Sequence, residues 1–191
     1  MGGTVLGVQC AQAAPLELNG TTRLSGIRKR VVSGRCRVGP LGLEGDEQAD
    51  LGIHGGLDKA VYAYPEEHAD FWRQRARDRG ELDEIPAGRL GENLRIAGVL
   101  EHDLYVGDEW HFPDCVLRVT QPRIPCAKLN AVLNDPRAAR AMAQSARCGT
   151  YLAVKVPGSV AVGETFELVT GPRQTPLLAL FAVSRLKTRH D

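Results

Sequence analysis

Along the chain, short runs rich in β-branched and aromatic residues recur between glycine, proline and aspartate punctuation, at 4–10, 59–64, 116–121, 151–156 and 165–169. Such side chains suit a pleated, half-buried surface and turn residues end the runs, so these segments are predicted strands. Twice, in Val106-Gly107-Asp108-Glu109-Trp110 and Val162-Gly163-Glu164-Thr165-Phe166, a glycine and an acid precede a strand, which is the chemistry of a tight turn. Closely spaced turns between short strands predict a mostly β fold with a few helices, built as a small, strongly curved barrel or sandwich.

Helical periodicity is confined to a few places. Pro65 suits the first turn of a helix running through Arg79, with Ala69, Trp72 and Ala76 on one stripe and Gly80 as the stop. A second helix is predicted over 126–133 and a third over 136–147, where alanine is abundant and Asp135 can cap. Residues 77–91, charged and broken by glycine and proline, are predicted to form a mobile surface loop. The pattern gives one barrel domain over 1–170 and a short tail over 171–191, whose apolar run 177–183 forms a lone helix on the barrel or on a neighbour.

Charge and cysteine usage narrow the class. The 24 Lys+Arg and 23 Asp+Glu give a net charge of +1, which argues against a nucleic-acid clamp or a polybasic membrane binder. The longest apolar run is far short of the roughly 20 residues that span a bilayer, and the first ten residues lack a basic and apolar leader pattern. Five cysteines, none spaced C-x-x-C, fit neither a closed disulfide framework nor a zinc ribbon. A soluble, cytoplasmic protein in a reducing setting is expected, with no nucleic-acid or membrane partner and the oligomeric state open.

Two segments carry candidate chemistry. In Gln121-Pro122-Arg123-Ile124-Pro125-Cys126-Ala127-Lys128-Leu129, a thiol stands where a strand gives way to a helix. The helix dipole and the flanking cations Arg123 and Lys128 favour its thiolate, which suits attack on an electrophile or ligation of a soft metal. A buried cysteine without chemistry is an equal reading from these residues alone. Cys10, Cys36 and Cys115 sit in or beside strand-like runs as core fillers, and Cys148 lies near a helix end that raises a thiol pKa.

The second segment is Gly42-Leu43-Glu44-Gly45-Asp46-Glu47-Gln48-Ala49-Asp50, followed by His54-Gly55-Gly56-Leu57-Asp58-Lys59. Paired glycines allow backbone N–H groups to converge on an anion, with His54 and Lys59 completing the site. A glycine-rich turn with solvated charges explains it as well. Gly91-Glu92-Asn93-Leu94 offers either an amide beside a ligand or a capped turn. Arg28-Lys29-Arg30 with Arg35 and Arg37 matches a solvated strand face better than a phosphate clamp. His68, His102 and His111 lack metal-ligand spacing. No Walker motif, G-x-G-x-x-G or H-E-x-x-H is present, so a nicotinamide-dependent reaction would need electrons from a separate protein.

Taken in order, Gly42 to Asp50, His54-Gly55-Gly56 with Lys59-Ala60-Val61 and Tyr64-Pro65, Gly91-Glu92-Asn93-Leu94, Gly107-Asp108, and Gln121-Pro122-Arg123 with Pro125-Cys126 and Lys128-Leu129 resemble the MOSC domain family, in its stand-alone bacterial YiiM-like branch. The likeness covers about residues 4 to 170. It implies a mixed β-barrel that binds the molybdenum cofactor, with Cys126 as the catalytic thiol and metal ligand. By the same resemblance Lys29, Asp46, His54, Gly55, Gly56, Lys59, Asn93, Arg123 and Lys128 surround that cofactor. The implied activity is reduction of small N-hydroxylated compounds such as hydroxylaminopurines, with electrons from a flavoprotein reductase. Sulfur relay through a Cys126 persulfide and non-catalytic carriage of the cofactor are the alternatives. Leu57, Leu90 and Ala127 depart from the branch's usual proline, phenylalanine and aromatic residue, and put the substrate in question.

Overall fold

The computed structural model describes residues 1–49, 55–81 and 84–187. In chain order the strands are β1 (Gly2–Cys10), β2 (Ala14–Leu18), β3 (Thr21–Ser25), β4 (Arg30–Val31), β5 (Cys36–Gly39), β6 (Gly42–Leu43), β7 (Val61–Pro65), β8 (Leu94–Ala97), β9 (Glu109–His111), β10 (Val116–Pro122), β11 (Thr150–Val156), β12 (Gly158–Val160) and β13 (Thr165–Val169). The helices are α1 (Ala69–Arg77), α2 (Ala127–Leu133), α3 (Ala138–Ser145) and α4 (Leu177–Lys187). Among the described residues no helix is long and apolar enough to cross a membrane.

Seven strands close a barrel in the order β1-β8-β7-β11-β10-β9-β13, with β13 returning to pair with β1. All these pairs are antiparallel except β7–β8. Closure removes the unpaired edges that an open sheet would present. Inside, Val5, Leu94, Ile96, Trp110, Leu117, Leu152 and Phe166 form the main core. The expected mostly β barrel with a few helices is therefore what the chain forms.

A second core lies outside the barrel wall, where α1, α2 and α3 cover β7 and β11. Strand β7 is buried on both faces: Val61 and Ala63 join the barrel interior, while Tyr62 and Tyr64 join Trp72, Leu129 and Met142 under the helices. The predicted stripe of α1 is the one that packs, since Ala69, Trp72 and Ala76 are all buried. Pro65 however ends β7 in extended conformation, and a single 3-10 turn over Glu66–His68 precedes the α-helix, which stops at Arg77. Leu177 and Phe181 of α4 are buried, and the Leu177 N–H donates to the Leu104 carbonyl.

Part of the segment expected to be mobile is anchored. The fully buried Glu92 carboxylate accepts the Gly88 and Leu90 N–H groups at 2.8 and 3.0 Å and the Arg95 Nε–H at 2.8 Å. A buried charge persists only when so satisfied, and its donors here are two backbone N–H groups of the turn and the Arg95 guanidinium of β8. Glycine and charge content register as a loop, whereas the buried acid that fixes it lies just beyond it, two residues before β8.

A second buried acid, Glu101, accepts the Gly149 N–H at 2.6 Å and bonds His68 Nε2 at 2.8 Å. Burial pushes its pKa up, but His68 and the backbone donors outweigh burial and hold it below the ordinary value of 4.5. An acid with a depressed folded-state pKa stabilises the fold above its unfolded pKa and loses that contribution as pH falls through the folded value. Glu101→Gln is therefore expected to lower stability by about 1–3 kcal/mol at neutral pH. It should also flatten the loss of melting temperature on acidification below pH 4.5. Thermal melts across pH check this; parallel acid limbs in the two proteins would exclude it.

Candidate functional site

A cleft of about 680 Å³, open mouth included, lies where the end of β10, the start of β7, the β3–β4 connection and residues 46–49 meet. It gathers the separate sequence candidates. Lys29, Asp46, Lys59, Asn93, Arg123, Cys126 and Lys128 all line it, with Tyr62 and Tyr151 forming a wall. His54 and Asp50 lie outside the described residues.

Cys126 is the residue immediately before α2, and its carbonyl accepts the first helical bond from the Leu129 N–H. The thiol is half-buried, in contrast to the four other, buried cysteines. Burial pushes Cys10 and Cys115 up to about 12 and raises Cys36 and Cys148 as well. A thiol with a pKa that high stays protonated and inert near neutrality, so Cys126 is the cysteine placed for chemistry.

Arg123 is only 5% exposed. Its guanidinium lies 5.2 Å from the centre of the Tyr62 ring and donates to Met142 Sδ at 3.4 Å. Burial works against its charge, but Tyr62, Tyr151 and Cys126 around it outweigh burial and keep it protonated. No carboxylate among the described residues lies within ion-pair distance of it. A buried charge without a counter-charge is costly, and this one sits at the cavity wall beside a thiol. Such an arrangement is complementary to an anion in the cleft.

Asp46 and Lys29 form a buried ion pair, their side chains 6% and 7% exposed. The Asp46 carboxylate also accepts the Ala11 N–H and an Asn93 amide hydrogen, each at 2.8 Å. Asn93 donates its other hydrogen to the Gln9 carbonyl and accepts the Tyr62 N–H. Both amide hydrogens are thus engaged by the protein. Asn93 ties β1, β7 and Asp46 together at the cleft wall.

The paired glycines stand behind the wall. Neither Gly55 nor Gly56 is among the residues that line the cleft, and the Gly56 N–H donates to Gln48 Oε1 at 2.7 Å. Gly56 has φ +93°, a conformation that glycine adopts freely and other residues rarely do. Gly56→Val is accordingly expected to cost about 1–3 kcal/mol of stability through backbone strain. A thermal melt checks it, and an unchanged melting temperature would return the loop to direct ligand contact.

Tyr62 and Tyr151 are the site residues that the sequence motifs did not reveal. They are direct cross-strand partners on β7 and β11, with ring centres 5.2 Å apart. Their alternation with the core residues Val61, Ala63 and Leu152 marks them as facing outward from the barrel. Among the described residues no cluster of three His, Cys, Asp or Glu is placed to hold a metal ion. The cleft instead combines one accessible thiol with several cations, which fits a metal that arrives with ligands and an anionic group of its own.

The family model for the MOSC domain matches residues 50–167. Protein YiiM of Escherichia coli strain K12 is 38% identical over 146 residues, which is 76% of this chain and 64% of that protein. A Gibberella moniliformis protein described as "Reductase" is 34% identical over 149 residues, 78% of this chain but 26% of its own length. The chain thus spans less than two thirds of either protein. The crystal structure of YiiM from Geobacillus stearothermophilus superposes with a TM-score of 0.76 at 26% identity, covering 97% of this chain and 85% of that one.

Proposed function

From the premise that the chain belongs to the MOSC domain family, we propose that its cleft binds the molybdenum cofactor and reduces small N-hydroxylated compounds with electrons from a separate flavoprotein reductase. The observation that carries this reading is Arg123, a buried guanidinium without a carboxylate partner among the described residues, set beside the Cys126 thiol in one cavity. A thiolate is a soft ligand suited to molybdenum, and a phosphate-bearing pterin supplies the anion that a buried arginine demands. When bound, the cofactor would supply the two-electron redox chemistry that reduction of an N–O bond requires.

The protein's own residues divide the remaining work. Cys126 Sγ would ligate the metal. Arg123 neutralises anionic charge at the inner wall, with Lys59 and Lys128 nearer the mouth. The Tyr62 and Tyr151 rings wall the cleft against water and strengthen each of these interactions, while their hydroxyls lie against the Arg123 guanidinium. Asp46 holds Lys29 Nζ and its protons at the edge of the cleft. The overall reaction, R–NHOH plus two electrons and two protons giving R–NH₂ and water, needs proton-bearing groups near the substrate, and Lys29 is one. Likeness to a quarter of a longer protein named a reductase is consistent with an electron source outside the matched region.

The test is metal analysis of protein purified from a cofactor-competent host, followed by an assay of N-hydroxylated purine reduction with NADPH, with and without a flavoprotein reductase. Stoichiometric molybdenum and turnover only with the reductase are expected. Turnover with NADPH alone would refute the electron route. Metal without turnover in the presence of the reductase would favour a cofactor carrier, and a Cys126 persulfide on metal-free protein would favour sulfur relay.

A further inference from the structure

Two tyrosines lie against Arg123, and the structure commits their hydroxyls differently. Tyr62 is 3% exposed, and its O–H donates to the Cys148 carbonyl at 2.8 Å. Tyr151 is half-buried and lines the cleft, and its hydroxyl oxygen accepts a hydrogen bond from the Arg123 guanidinium. Among the described residues no acceptor takes the Tyr151 proton. A tyrosine hydroxyl both donates and accepts, so Tyr151 meets the cavity with its donor role open and its oxygen already polarised by a cation.

The group is held in place. Thr120 and Thr150 Oγ1 donate to the Tyr151 carbonyl at 3.0 and 3.2 Å, and the ring packs against Tyr62 across the β7–β11 pair. Arginine carries five N–H donors, enough for Arg123 to reach Met142 Sδ, the hydroxyls and an anion in the cleft together. Burial raises the Tyr151 hydroxyl above its ordinary value of 10, and the Arg123 charge works against that rise. Tyr151 therefore carries its proton throughout the neutral range. Ionising it would give the buried guanidinium the counter-charge that no carboxylate among the described residues supplies.

We infer that Tyr151 is the proton donor to the oxygen that leaves when the N–O bond of the substrate breaks. The inference rests on the reductive function proposed above and specifies one of its two protons. Two electrons from the reductase would otherwise expel hydroxide, a poor leaving group because water is so weak an acid. As the N–O bond breaks, the departing oxygen takes the Tyr151 proton and leaves as water, while the nitrogen takes the second proton. The tyrosinate pairs with Arg123 and regains a proton from solvent at the open mouth. Arg123 itself does not deprotonate in a protein, and Lys29, held on Asp46, remains for the nitrogen.

The test compares benzamidoxime, a simple N-hydroxylated amidine, with its O-acetyl ester. Both are given to the molybdenum-loaded parent and to Tyr151→Phe, with reduced methyl viologen as electron source. Acetate leaves without a proton, so only the hydroxyl substrate needs the donor. Tyr151→Phe should lower kcat for benzamidoxime by about 100-fold, the low end of what a positioned acid contributes, with KM changed by less than about threefold. Turnover of the ester should stay within about threefold of the parent. Metal content and melting temperature, read independently of activity, should stay at parental values. Tyr62→Phe should instead lower the melting temperature, because the Cys148 carbonyl loses its donor, and should keep the parental ratio between the two substrates.

Unchanged benzamidoxime turnover in Tyr151→Phe overturns the proton donor, and so does an equal loss on both substrates, which would leave Tyr151 a wall residue. Loss of molybdenum from Tyr151→Phe also overturns it and assigns the hydroxyl to holding the cofactor. In each of these cases a parent that reduces both substrates keeps the reductive function standing. If the loaded parent reduces neither, that function falls and the inference with it.

Discussion

Replacing Cys126 with alanine is expected to abolish molybdenum retention and N-hydroxy reduction while leaving the fold intact. The thiol is the half-buried cysteine of the cleft, and the other four are buried among core side chains. Direct ligands matter more than the outer partners whose loss already costs roughly 10–100-fold in metal affinity or activity, so the deficit should exceed that range. Stability should change by less than about 1 kcal/mol, because a half-exposed side chain at a helix start leaves no enclosed void. Cys10→Ser should behave in the opposite way, since it places a hydroxyl in the main core at a cost of about 1–3 kcal/mol while leaving metal content unchanged. Metal analysis, activity and thermal melts on the two variants separate the roles. Full metal content and activity in Cys126→Ala would remove the thiol from the mechanism.

Arg123→Met is expected to separate ligand binding from stability in the reverse sense to most core substitutions. Truncating a buried side chain ordinarily destabilises. Here, however, a charge held in a buried site without a carboxylate partner among the described residues gives way to an apolar side chain of similar length. Replacing buried ionic groups by well-packed apolar ones is often neutral or stabilising by about 1–4 kcal/mol. The cofactor-free variant should therefore melt at or above the temperature of the parent, although it loses the contacts to Tyr62 and Met142. Molybdenum retention should fall at least about tenfold, because the anion loses its buried counter-charge. Thermal melts on metal-free protein and metal analysis after purification read the two effects separately. A melting temperature several degrees lower with metal retained would make Arg123 a structural residue of the α2–α3 layer.

Much of this protein was legible locally. Period-two alternation and turn chemistry are properties of a few consecutive residues, and the five predicted strands all recur, with 165–169 matching β13 end to end. The stripe of Ala69, Trp72 and Ala76 needed only helical spacing. The strand-to-helix junction at Cys126 followed from two prolines and an alanine-led helix, and the thiol stands at that junction. Local composition misleads where a distant or later group decides: Glu92 anchors a turn whose composition predicts mobility, and Gln48 takes the Gly56 N–H of the paired glycines.

What the sequence determined by itself was five of the barrel strands, the helices and the placement of one thiol at a helix start, since each depends on neighbours within one or two turns, whereas the shorter strands, such as β4, β6 and β12, form only where a partner strand comes alongside. Tertiary structure alone decided barrel closure by β13 on β1, where residues 2–4 meet 165–167, and the pairing that sets Tyr62 against Tyr151. It also decided which cations remain available. Lys29, Arg28 and Arg30 are adjacent and chemically alike, yet one is held by Asp46 and the others face water. Arg123 is buried without a carboxylate partner among the described residues because β10 carries it beneath the helix layer. Burial and pairing depend on groups far apart in the chain, so no local pattern encodes them.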